Sequence, residues 1–68
     1  AGRNTAAREE LARSQARLDG LRTSLATARN IAERYARLVS AGASSQVQLL
    51  EAQAKVDDLT AQINAEQR

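Results

Sequence analysis

The sequence predicts an all-α fold, a two-helix antiparallel coiled-coil hairpin, and three observations predict it. The chain of 68 residues is dominated by Ala, Arg, Leu, Gln and Glu and contains no Pro; all five dominant types are good helix formers. Apolar residues recur at heptad spacing in two separate stretches. One break of small residues, Ser40-Ala41-Gly42-Ala43-Ser44, lies between them.

The first helix is expected over about residues 3–39. Placing Leu11, Leu18, Leu25, Ala32 and Val39 at heptad position a puts Ala7, Ser14, Leu21, Ala28 and Tyr35 at d. Gly20 falls at c, outside this seam. It costs about 1 kcal/mol relative to Ala in a helix interior, but the periodicity continues through Leu18, Leu21 and Leu25, so the helix is read as continuous. Glu9 with Arg13 and Glu33 with Arg37 stand at i,i+4 and are expected to pair, as are Glu51 with Lys55 further on.

The turn is expected over residues 40–44. Gly42 can adopt a positive φ without steric cost, which suits the end of a helix, and Arg37 sits in the last turn, where a cation suits the helix dipole. The second helix is expected over about residues 45–67. Ser45 followed by Gln48 is a capping-box pattern, in which the hydroxyl meets the backbone amide three residues on and the Gln side chain reaches back. In this helix a holds Leu49, Val56 and Ile63, and d holds Ser45, Ala52, Leu59 and Glu66.

The two heptad frames can be tested against each other, because an antiparallel pair sets a against d. Pairs whose numbers sum to 84 are Tyr35 with Leu49, Ala32 with Ala52, Ala28 with Val56, Leu25 with Leu59, and Leu21 with Ile63. Half of 84 is 42, so the phase of the heptads selects the same Gly42 that the turn chemistry selects. The helices are unequal, about 55 Å against about 35 Å. The first 15 or so residues are therefore expected to lack a partner within the chain.

Composition narrows the function. With no His and no Cys, the commonest general base, the thiolate nucleophile and the commonest metal ligands are all missing. Asp57 and Asp58 are adjacent in sequence, so on a helix they diverge by about 100° and cannot form a catalytic dyad. No Gly-rich phosphate loop occurs. The expectation is a protein that is not an enzyme and uses no cofactor. Residues 1–40 carry eight Arg and four acids, a net charge of +4, whereas residues 41–68 carry a net −2; folded into a hairpin the two halves attract weakly. The arginines spread around the helix and no aromatics are interleaved with them. A nucleic-acid-binding coiled-coil arm is thus the lesser alternative, beside a generic hairpin that dimerises into a four-helix bundle. No apolar run approaches the roughly 20 residues needed to cross a bilayer. The start Ala1-Gly2-Arg3, without an initiator Met, suggests an excised segment.

Across the turn, Arg34, Leu38 and Ser45 stand at the spacing R-x3-L-x6-S, within Arg34-Tyr35-Ala36-Arg37-Leu38-Val39-Ser40-Ala41-Gly42-Ala43-Ser44-Ser45. In this the chain resembles the α-hairpins of HlyD-type membrane fusion proteins, the periplasmic adaptors of tripartite efflux pumps and type I secretion systems, whose hairpin tips carry an Arg-Leu-Ser motif at this spacing. The resemblance covers the whole chain as an architecture, and its specific motif covers the tip. One departure is Ser44, where family members often carry an aliphatic residue. The resemblance implies a non-catalytic hairpin, part of a larger adaptor anchored at the inner membrane and working in the periplasm. It also implies partners: a TolC-like outer-membrane channel met through Arg34, Leu38 and Ser45, neighbouring adaptor protomers in a ring, and an inner-membrane transporter reached through parts of the adaptor outside this chain. Val47 and Leu50 fall at f and b, outside the seam and near the tip, and suggest a second contact surface.

Overall fold

The computed structural model describes the backbone of residues 2–68 and the side chains of residues 4–68. It contains two helices, α1 (Gly2–Ser40) and α2 (Gln46–Glu66), folded back on each other as an antiparallel hairpin. The rod measures 62 × 15 × 11 Å, the long dimension being that of an uninterrupted α1. Helix α1 passes through Gly20 without a break.

Burial follows the heptads. Along α1 the shielded positions are Ser14, Leu18, Leu21, Leu25, Ala28, Ala32, Tyr35 and Val39, with Ala36 added on one flank. Along α2 they are Leu49, Ala52, Val56, Leu59, Ile63 and Glu66, with Thr60 on the same flank. The core is the cluster Leu25, Ala28, Leu59 and Ile63, against which Leu18, Leu21 and Val56 pack. This cluster unites the members of three of the pairs that sum to 84. It is a single layer of side chains between two cylinders, and among the described residues none is completely enclosed. The flanking Thr60 hydroxyl is satisfied internally, donating to the Val56 carbonyl at 2.9 Å.

The chain reverses through a Schellman motif. The Ala43 amide donates to the Leu38 carbonyl (2.8 Å) and the Gly42 amide to the Val39 carbonyl (3.0 Å). These bonds satisfy two carbonyls that the helix end leaves without an internal donor. Gly42 takes φ 73°, the left-handed conformation this motif requires.

At the open end the unpartnered stretch expected over the first 15 or so residues stops at Ser14. Glu66 Oε1 accepts hydrogen bonds from Ser14 Oγ at 2.8 Å and Arg17 Nε at 2.9 Å. Arg17 also reaches Glu10 at 3.5 Å, and Glu10 holds Arg13 at 2.9 Å. The interhelix contact thus extends back to Ser14, and the overhang whose side chains are described is residues 4–13, all exposed. Leu11, a seam residue by phase, is left 58% exposed because nothing in α2 reaches it. Arg13 pairs with Glu10 rather than the expected Glu9. Both acids lie one turn away, but Glu10 is also drawn toward Arg17, and the shared carboxylate bridges two cations. No ion pair forms at Glu33–Arg37 or Glu51–Lys55 among the described residues; such exposed pairs gain little and give up side-chain entropy.

Two expected results follow. Gly20→Ala should raise helix stability by about 1 kcal/mol, because an added Cβ at Gly20 meets nothing within 4 Å; an unchanged or lowered melting temperature contradicts the open geometry. The second concerns acid. Arg17 first, and Ser14 second, hold the Glu66 carboxyl below its ordinary value of 4.5. Arg13 chiefly, with Arg17, lowers Glu10 in the same way. A carboxylate whose folded pKa is depressed adds stability above the unfolded pKa and loses it as pH falls through the folded value. Denaturation followed between pH 7 and pH 3 should therefore show the chain more stable than Glu66→Gln at neutral pH, with the difference shrinking as pH falls. A constant difference across the range contradicts the clamp.

Candidate functional site

The tip gathers the residues that sequence spacing singles out. Arg34 and Leu38 lie one turn apart on α1, a spacing that sets side chains on the same face. They line one groove together with Ile31 and Tyr35. Three of the four lining residues are Ile31, Tyr35 and Leu38, and the Arg34 guanidinium beside them makes no ion pair among the described residues. Five donors are thus presented to solvent beside an aliphatic surface. Leu38 is 38% and Ile31 44% exposed. Both stand at g, beside the seam rather than in it.

Ser45 is placed differently. It is the N-cap of α2, with extended backbone (φ −82°, ψ 151°), and both bonds of the capping box are formed. Its Oγ accepts from the Gln48 amide at 3.3 Å, and the Gln48 Oε1 accepts from the Ser45 amide at 3.4 Å. Ser44 Oγ donates to the same Gln48 oxygen at 2.5 Å. A second serine thus ties the turn to α2. Accepting from Gln48 leaves the Ser45 hydroxyl proton free to donate outward. Ser45 is at the same end of the rod as Arg34 and Leu38, but it does not line their groove. The structure brings Arg34 and Leu38 together on one surface and gives Ser45 a turn-forming task beside it.

The heptad frame alone did not place Tyr35 in the groove. As a d residue it belongs to the seam, yet it is only half-buried and also lines the groove. The available signal was its spacing, four residues after Ile31 and three before Leu38, which sets all three on one face. Val47 and Leu50 are 61% and 56% exposed on the side of α2 turned away from α1, an aliphatic pair near the tip that the hairpin does not bury.

No helix among the described residues is long and apolar enough to cross a membrane, and no group of three or more acidic side chains there converges to hold a metal ion. Comparison with family models, with curated proteins and with solved structures finds no match to this chain.

Proposed function

We propose that the chain is a structural bridging element: the hairpin of a periplasmic adaptor that joins an inner-membrane transporter to a TolC-like outer-membrane channel. In this reading its tip docks on the channel, adaptor copies stand side by side in a ring, and the transported substrate passes through the conduit they enclose. The hairpin itself catalyses nothing. Parts of the adaptor outside this chain make the link to the inner membrane.

The observation that carries the reading is the tip groove, in which Arg34 and Leu38 present an unpaired guanidinium and an exposed aliphatic side by side. Arg and Tyr are enriched at the energetic centre of protein interfaces, and both line this groove. The groove sits at the end of a 62 Å rod, where a docking surface is held away from the body that carries it. The residues there match the Arg-Leu-Ser spacing of the resembling family. The experiment is a pull-down of purified TolC-like channels with the immobilised hairpin. Capture through the channel tip is expected. No capture by any channel, together with RNA binding that weakens steeply with salt, supports the nucleic-acid arm instead.

A further inference from the structure

We infer that the Ser14–Arg17–Glu66 cluster at the open end is a register lock. It selects the pairing of α1 with α2 that puts Gly42 in the turn, and so holds the tip groove together from the other end of the rod. The inference goes beyond the bridging reading and does not depend on what the tip docks on.

The first observation is that the apolar seam does not fix its own register. From Leu18 to Tyr35 on α1, and from Leu49 to Ile63 on α2, every a and d residue is aliphatic or aromatic. Sliding α2 by one heptad toward the open end moves it about 10 Å. Every a residue still meets a d residue, now in pairs that sum to 77: Leu18 with Leu59, Leu21 with Val56, Leu25 with Ala52, and Ala28 with Leu49. The slide also brings the end of α2 level with Leu11, which stands 58% exposed. A seam of interchangeable apolar layers leaves registers one heptad apart close in energy, and a polar layer is what separates them.

The second observation is where the polar layer sits. Glu66 and Ser14 both hold d phase, and the Glu66 side chain is only 23% exposed. Its Oε1 accepts from Ser14 Oγ at 2.8 Å and from Arg17 Nε at 2.9 Å. In the slipped register Glu66 faces Leu11 and Ser14 faces Ile63. The carboxylate is then carried about 10 Å from both of its donors. One satisfied polar layer becomes two polar groups set against aliphatics, and that penalty selects the register. A slide the other way is opposed by the apolar layers themselves. It uncovers Leu18 and Leu21 and sets Glu66 against Leu25, one of the four core residues.

The third observation connects the lock to the tip. Pairs that sum to 84 centre the turn on Gly42, whereas pairs that sum to 77 centre it between Leu38 and Val39. The slipped chain needs Leu38 in the turn, and Arg34 and Leu38 then no longer share one helical face. At the tip, the Gly42 and Ala43 amide bonds and the Ser45 cap oppose the slip. The lock opposes it from about 36 Å away, the rise from Ser14 to Leu38. A helix that moves past its neighbour in whole steps carries a change at one end to the other.

The test reads the register directly. The chain has no Cys, so introduced cysteine pairs report without background. Arg29 and Gln53 line one groove between the helices, and both stand at e, outside the seam. Arg29→Cys with Gln53→Cys marks the observed register. Arg22→Cys with Gln53→Cys, one heptad away, marks the slipped one. In a glutathione redox buffer the fraction of each disulfide at equilibrium measures how often its register is visited. With the lock intact, the 29–53 disulfide is expected to dominate. Ser14→Ala with Glu66→Ala is expected to raise the 22–53 disulfide relative to the 29–53 disulfide about tenfold, the effect of one unsatisfied polar group in a seam. Arg17→Glu with Glu66→Arg restores an opposite pair between the helices and is expected to keep the original ratio. Circular dichroism of each variant accompanies the measurement. An unchanged ratio in a helical alanine variant overturns the inference. If the alanine variant loses its helicity, the exchanged pair decides: the original ratio supports the lock, and a raised ratio overturns it.

Discussion

Leu59→Ala is expected to unfold the isolated hairpin at room temperature. Leu59 is 5% exposed, the most enclosed of the four core residues, and it sits among Leu25, Ala28 and Ile63. Truncating a buried Leu removes its transfer free energy and leaves a cavity, at a cost of about 2–5 kcal/mol. A chain of this size with one layer of core rarely holds more than about 3–5 kcal/mol in total. The two figures are comparable, so a single truncation consumes most of the fold. Far-ultraviolet circular dichroism should show largely lost helicity and no cooperative melt. Val47→Ala, which removes an exposed aliphatic outside the seam, should stay within about 0.5 kcal/mol of the original in dilute solution. Equal melting of the two variants would contradict a core centred on Leu59.

The second large effect is at the tip, and there folding and function are expected to separate. Arg34 has no ion-pair partner within the chain among the described residues, and Leu38 lies beside the seam with 38% of its surface exposed. Neither anchors the helix pair, so Arg34→Asp and Leu38→Ser should leave helicity nearly intact. If the groove is the docking surface, each removes a central contact of the kind worth about 2 kcal/mol or more, a loss of roughly thirtyfold in channel affinity. In the proposed adaptor, either is expected to abolish export. Ser45→Ala should do both kinds of harm: it deletes the cap that holds the Gln48 amide, worth about 1 kcal/mol, and it removes a hydroxyl that can still donate to a partner. Export and channel binding, measured beside circular dichroism of each variant, distinguish these patterns. Full export by the Arg34 and Leu38 variants would leave a helical hairpin without the docking role.

The seam and the turn were legible in the sequence because they follow from period and from backbone chemistry. Leu18, Leu21, Leu25, Val56, Leu59 and Ile63 repeat with one phase, and only a turn at Gly42 sets the two phases face to face. The structure seats these residues in one cluster and gives Gly42 its positive φ. The polar contacts were less legible. Glu66 and Ser14 both carry d phase, so their meeting in the seam was within reach of the heptad frame. Arg17, at g, joins them only because its long side chain spans from one helix to the other. Which acid Arg13 chooses depends on a third residue, Arg17, and pairwise spacing along one helix does not contain it. The tip shows the same division. Ser45 as a cap is a local pattern and is read directly. The groove of Arg34 and Leu38 also takes in Tyr35, a seam residue by phase, and the heptad frame alone does not give a residue a second surface.

The most direct measurement of the central claim is a binding titration of the purified hairpin against a TolC-like channel, with the unmodified chain, Arg34→Asp and Leu38→Ser compared at equal helicity. Saturable binding is expected of the unmodified chain, weakened by added salt because a guanidinium contributes to it, with at least a roughly thirtyfold loss in each variant. Binding of equal strength by all three chains would contradict it.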